Sequence, residues 1–151
     1  MKTTFKGRAV LPDRLDGRAL VTHRGFNTYA SFFTSIHEPT GAAVCADSGN
    51  PDLFGRNLAG RILCLPRTAG STSSGAVWLR LAKWDVTPLA MLFSRPIDPL
   101  AAGGLVVADL WAGRRIVTVD QLGEDFLNTV QNGDHIAVHA DGTVQILNVC
   151  G

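Results

Sequence analysis

Short apolar runs broken by turn residues pattern most of this chain. Residues 9–11 and 19–21 are such runs, separated by Pro12, Asp13, Asp16 and Gly17, and they predict the first strands of an open or barrel-like sheet. Residues 24–34 are rich in aromatic and hydroxyl side chains without helical period, which suits a strand or a functional loop. Residues 42–46 predict another short strand between a Glu38-Pro39-Thr40-Gly41 turn and a loop over 47–55. The unbroken apolar run 62–65, stopped by Pro66, and the similar run 89–93 have the length of strands buried on both faces. Between them, Val77, Trp78, Leu81 and Trp84 recur at helical spacing, with Arg80 and Lys83 near the end, and predict a helix over 76–84. Residues 104–111 read as a helix ended by Gly113 or, through their valines, as a strand. Residues 115–119 are strand-like, 124–131 form a short helix stopped by Asn132-Gly133, and 135–140 with 143–147 predict a hairpin across a two-residue Asp141-Gly142 turn. No repeat, linker or low-complexity tract divides the pattern, so one mixed α/β domain over 1–151 is expected.

Composition narrows the class of function. The 151 residues are 46% hydrophobic and only 18% charged, against about 25% charged in ordinary soluble domains, so disorder is excluded and much of the surface is neutral or covered by a partner. A net charge of +1 argues against a dedicated nucleic-acid binder. The charge is uneven: residues 1–75 hold nine Lys/Arg against five Asp/Glu (net +4), and 76–151 hold five against eight (net −3), so an acidic ligand is expected on the first half. Cys45, Cys64 and Cys150 have no CxxC spacing and an odd count, which fits a reducing compartment. Neither a secretory leader nor a run of about 18 apolar residues is visible, so a soluble, cytoplasmic protein without membrane contact is expected.

The most informative stretch is Arg67-Thr68-Ala69-Gly70-Ser71-Thr72-Ser73-Ser74-Gly75, a loop of small and hydroxyl residues between a buried strand and a helix start. The first N–H groups of a helix lack internal acceptors and its dipole is positive there, so a carboxylate or phosphate is stabilised. Small residues admit the anion, the hydroxyls add donors, and Arg67 would add a bidentate clamp. A plainer reading stays open, in which Ser73 or Ser74 caps the helix and the rest fills a polar turn. Three motifs fail. Gly70 and Gly75 have the spacing of a P-loop, but Ala76-Val77 stand where Lys and Ser/Thr are required; Ser71 stands where a hydrolase elbow needs glycine; and no GxGxxG follows a strand.

Residues 60–75, Gly-Arg-Ile-Leu-Cys-Leu-Pro-Arg-Thr-Ala-Gly-Ser-Thr-Ser-Ser-Gly, resemble the signature of the small, swivel-domain subunit of aconitase X. The likeness extends to Ser31-Phe32-Phe33, to 47–55 and, more loosely, to 103–117. It implies a swivelling β/β/α fold, a large partner subunit carrying an iron or iron–sulfur centre, no cofactor on this chain, and dehydration of a small hydroxy acid. By position it implies that Ser71 is the catalytic base and that Gly70, Thr72 and Ser73 hold the substrate carboxylate. Asn50 departs from the family pattern, where a histidine is expected. Family members act on cis-3-hydroxy-L-proline in bacteria or on a mevalonate phosphate in archaea. The lack of a second basic cradle favours hydroxyproline here.

A helix N-terminus contributes about 0.3–1 kcal/mol, at best ~2, to an oxyanion, which is no more than about one and a half pKa units. The loop alone cannot make Ser71 a competent base; Arg67 and a water-excluded interface must supply the rest. Loss of hydroxide also calls for a Lewis acid, and no convincing metal set is present in the sequence, so activity is expected to need a second polypeptide. Ser31 is a further candidate substrate contact. His135 and His139 share a strand face without a third ligand, His37-Glu38 reads as a turn, Asp47 as a solvated loop residue, and Cys45 and Cys64 as core. The competing function is a non-catalytic module that binds a small anion or caps an assembly; a free-standing serine hydrolase lacks a recognisable His/Asp pair.

Overall fold

The protein is described by a computed structural model over residues 2–70 and 74–147. In chain order the elements are β1 (Lys2–Lys6), β2 (Arg8–Leu11), β3 (Leu15–Val21), β4 (Phe26–Asn27), α1 (Thr28–Ser31), α2 (Phe33–His37), β5 (Ile62–Leu65) and β6 (Thr68–Ala69). They continue with α3 (Ser74–Lys83), β7 (Ala90–Phe93), α4 (Pro99–Ala112), β8 (Val117–Asp120), α5 (Glu124–Thr129), β9 (His135–Val138) and β10 (Thr143–Leu147).

The apolar runs at 62–65 and 90–93 lie at the centre of one sheet because every residue in them is buried, as parallel strands covered on both faces require. The eight-stranded order is β1-β10-β9-β3-β5-β7-β8-β2. β3 and the stretch from Lys2 to Leu11 serve both halves of it. In β3, Leu15 to Arg18 pair antiparallel with β9, whereas Ala19 to Val21 pair parallel with β5. In the first stretch of chain, β1 pairs with β10, and after Gly7 the chain turns so that β2 pairs with β8. No side chain fits at that corner: a Cβ on Gly7 would lie 2.5 Å from the Asp120 carbonyl oxygen.

The result is three layers, the β/β/α arrangement expected for the swivel fold. Ile62, Cys64, Ala90, Leu92 and Val119 point from the parallel strands into a core shared with Ile136, Val138, Val144 and Ile146 of the antiparallel strands. The alternate residues Leu63, Leu65, Met91 and Phe93 face the helices, where Phe26, Phe32 and Trp78 stack edge to face at ring distances of 5.8 and 5.4 Å.

Three expectations need correction. Residues 24–34 are mostly helical: after the two-residue β4, α1 and α2 form because Asn27 caps Ala30 and the aromatic side chains dock on Trp78, a tertiary contact that overrides strand propensity. Residues 42–46 hold a single bridge, Val44 to Asn57, rather than a strand. The hairpin turn has three residues, since the His139 N–H donates to the Thr143 oxygen and Gly142, at φ +91°, takes the left-handed position. Residues 104–111 are helical, but the helix starts earlier, at Pro99 in its first turn behind an Asp98 cap, and ends at left-handed Gly113.

Candidate active site

The parallel strands β3, β5, β7 and β8 all point their carboxyl ends at one edge, where open α/β sheets place their ligand sites. The chain leaving β5 forms β6, which pairs in parallel with β4 through Phe26–Thr68 and Asn27–Ala69. Gly70 follows at φ +91°, and a Cβ there would strike the Asn27 amide. Asn27 has two jobs at this point: its Oδ1 accepts the Ala30 N–H at 3.0 Å and its Nδ2 packs on Gly70. Only glycine satisfies both the backbone angle and the close approach.

A cleft of about 410 Å³ opens beside this turn, walled by Thr28, Thr68, Gly70, Asp98 and Leu100 among others. Its far wall is the start of α4. That start lies close to the turn because α3 and α4 touch backbone to backbone: a Cβ on Gly104 would lie 3.2 Å from the Gly75 nitrogen and 3.1 Å from the Trp78 ring. Asp98 accepts the Ala101 N–H at 2.9 Å, which caps α4, and the Thr68 hydroxyl at 2.5 Å. Desolvation pushes its carboxyl up, but the bonds from Thr68 and from the Ala101 and Leu100 amides outweigh this and hold it below the usual carboxylate range. The neighbouring Ile97 N–H is fixed in turn by the fully buried Asp120, 2.8 Å away, which also accepts two bonds from Arg8 at 2.7 and 3.0 Å. These bonds hold the α4 end of the segment between β7 and α4.

The predicted site residues separate on this geometry. Gly70 lines the cleft. Arg67 flanks it: its guanidinium lies over Gly25 and makes a long 3.5 Å contact with the Thr68 carbonyl. Ser31 is fully buried one turn beyond Thr28, with its hydroxyl against Cys45, so the cleft-facing residue of that helix is Thr28. Ser71, Thr72 and Ser73 lie outside the described residues, as does Cys150. Asn50 is buried, accepting the Thr22 hydroxyl at 3.2 Å, while its Nδ2 has no partner among the described residues. Burial pushes the Cys45 and Cys64 thiols up, which leaves both as core residues rather than nucleophiles. His135 pairs with Asp16 at 2.6 Å and His139 contacts Gln145 at 3.2 Å. Among the described residues no group of three His, Cys, Asp or Glu could hold a metal ion, and no helix is long and apolar enough to cross a membrane.

The aconitase X swivel domain family matches residues 4–146. The chain belongs to that family. The phosphomevalonate dehydratase small subunit of Archaeoglobus fulgidus is 33% identical over 144 residues, covering 95% of this chain and 98% of its own. Its counterpart in Methanocella arvoryzae is 30% identical over 145 residues, covering 96% and 98%. The crystal structure of Thermococcus kodakaraensis aconitase X in its holo-form superposes with a TM-score of 0.78 at 26% identity, covering 97% of this chain and 99% of that one. The aconitase X resemblance and the swivel fold expected from residues 60–75 are therefore both met. Asn27, Thr28, Thr68 and Asp98 are site residues that sequence reasoning passed over. A signal existed for one of them, since Asp-Pro ahead of an apolar run marks a helix start.

Proposed function

We propose that this chain is the small subunit of an aconitase X-type hydro-lyase, which presents the Gly70 to Gly75 loop to a small β-hydroxy acid held between it and a large subunit. The observation that carries this reading is the cleft beside Gly70, which has one wall from β6 and one from α4 and lies at the carboxyl edge of the parallel strands. In it the Ser71 oxygen, as an alkoxide, takes the proton α to the substrate carboxylate, the C–H electrons form the new double bond, the β-hydroxyl leaves with the C–O pair, and the proton that Ser71 took is returned to that hydroxide to give water. Gly70, Thr72 and Ser73 hold the carboxylate, with Arg67 at the flank. An iron or iron–sulfur centre on the large subunit supplies the Lewis acidity that departure of the hydroxyl needs. Closure by the large subunit excludes water and strengthens each of these contacts.

Within this reading cis-3-hydroxy-L-proline is the substrate, dehydrated to an enamine that becomes a cyclic imine. Support comes from the cleft wall, where the ionisable lining residue is Asp98 and no lysine or arginine lines it among the described residues. A carboxylate favours a ring ammonium and disfavours a phosphate dianion. The names of the relatives favour a second substrate, phosphomevalonate, whose α-proton and β-hydroxyl call for the same chemistry. Purified chain, with and without its co-expressed large subunit, is offered both compounds. Turnover of hydroxyproline by the complex alone, abolished by Ser71→Ala with the complex intact, is the expected result. Turnover of phosphomevalonate alone would replace the first substrate with the second, and activity surviving Ser71→Ala would remove that residue from the base role.

A further inference from the structure

We infer that Asp98 is a positioning residue of the catalytic loop, acting through the Thr68 hydroxyl to fix the chain just ahead of Gly70 against the first turn of α4. The inference rests on the site reading above, which does not itself assign Asp98 this role.

Three observations lead to it. First, β6 is a two-residue strand whose partner β4 is equally short, so the pairing through Phe26–Thr68 and Asn27–Ala69 leaves the outer side of Thr68 to other contacts. The Thr68–Asp98 bond at 2.5 Å crosses 30 residues of sequence and fills that side. Second, the acceptor is itself immobilised. Its other oxygen caps α4 at Ala101, and the preceding Ile97 N–H is held by the fully buried Asp120, so Thr68 is tied to a fixed point of the framework rather than to a free side chain. Third, Gly70 is pressed from the opposite side by the Asn27 amide, which is fixed as the α1 cap. The chain entering the loop is thus held from two directions, by Asn27 on the α1 side and by Asp98 on the α4 side. A charge-assisted bond to a carboxylate is the stronger and more directional kind. A reacting group displaced by about 1 Å can lose on the order of 100-fold in rate, which is why the entry to such a loop needs this control.

Serine caps a helix as well as aspartate does but is too short to reach Thr68, so Asp98→Ser separates capping from positioning. Thr68→Val removes the hydroxyl at constant shape. In the two-subunit enzyme each variant is expected to keep its thermal midpoint and to lose about 10–100-fold in kcat; in Thr68→Val, which leaves the Asp98 carboxylate in the cleft, that loss is expected to exceed any change in KM. The double variant is expected to lose no more than Asp98→Ser alone, because the contact that Thr68→Val removes is already gone in it. Thr68→Ser, which keeps the hydroxyl, is expected to recover most of the loss. Wild-type kcat in Asp98→Ser and Thr68→Val, or losses that multiply in the double variant, would overturn the inference. Amide hydrogen exchange on the full small chain reads the same contact without turnover. The segment 66–70 is expected to exchange about fivefold faster in Thr68→Val while β5 and β7 are unchanged. Unchanged exchange at 66–70 would overturn the positioning role even if the substrate assignment stands. An inactive wild-type complex with accelerated exchange would overturn the assigned reaction and leave the positioning role supported.

Discussion

Gly70 and Gly142 share a backbone angle, φ +91° in both, yet they belong to regions built for different ends. Around Gly142 the neighbour is backbone: the hairpin turn lies on Gly7, whose N–H donates to the Gly142 oxygen at 3.0 Å, and a Cβ on Gly142 would strike the Gly7 carbonyl. Around Gly70 the neighbour is the amide of Asn27, the far end of a side chain. The first contact joins the corner of the sheet to the β9–β10 hairpin, and nothing there can move without opening a ladder of hydrogen bonds. The second sits where a cleft meets a loop, and displacing the side chain there gives up one cap bond rather than a ladder. Rigid backbone contact thus secures the framework, whereas the site is secured by side chains that can be exchanged one at a time.

Substitutions that separate these two kinds of contact test the contrast. The largest effect is expected from Gly142→Ala, which combines a left-handed backbone with an immovable obstacle and should lower unfolding free energy by about 3–4 kcal/mol in urea titrations. A loss under about 1 kcal/mol would mean that the hairpin shifts freely on Gly7. Next comes Asp120→Ala, which deprives the Ile97 N–H and Arg8 of a buried acceptor and should cost about 2–3 kcal/mol. Gly70→Ala should cost only about 1–2 kcal/mol, because moving the Asn27 amide gives up a single cap bond to Ala30, while kcat of the complex drops about 100-fold. Equal kcat per folded molecule in Gly70→Ala and wild type would erase the difference between the two regions.

The smallest effect is one of pH. The Thr143 amide and hydroxyl, with Lys6 behind them, hold the Asp141 carboxyl at about 2, below its ordinary 3.8. A carboxyl whose folded pKa is depressed binds its proton more readily in the unfolded chain. Its contribution is therefore complete above roughly pH 4 and is lost as the pH falls toward about 2. Thermal melts of wild type between pH 5 and 2 should slope more steeply than those of Asp141→Asn, and parallel slopes would remove Asp141 from the hairpin's support.

What could be read from the sequence follows the same division. Runs such as 62–65 and 90–93 announce themselves because a strand buried on both faces has no polar positions to spare. The loop at Gly70 was legible as a chemical pattern, since small and hydroxyl residues ahead of an amphipathic helix have a local physical meaning. Residues 24–34 were not legible, because their helices depend on Phe26 and Phe32 meeting Trp78 from a distant segment. The Asp141-Gly142 pair suggested the shorter turn that such dipeptides favour, and only the contact with Gly7 reveals the longer one. Thr68 and Asp98 are 30 residues apart and carry no motif, so their meeting appears only once Gly75 and Gly104 bring the two helices into contact.

The shared strands have a consequence for how the molecule comes apart. Because β3 and the stretch from Lys2 to Leu11 each hydrogen-bond in both halves of the eight-stranded sheet, neither half can peel away while the other stays whole. Melting of this chain should accordingly be a single cooperative event. Trp78 and Trp111 lie in α3 and α4 and Trp84 directly follows α3, so their fluorescence would follow the helical layer and fade at the same denaturant concentration as the circular dichroism of the β-strands.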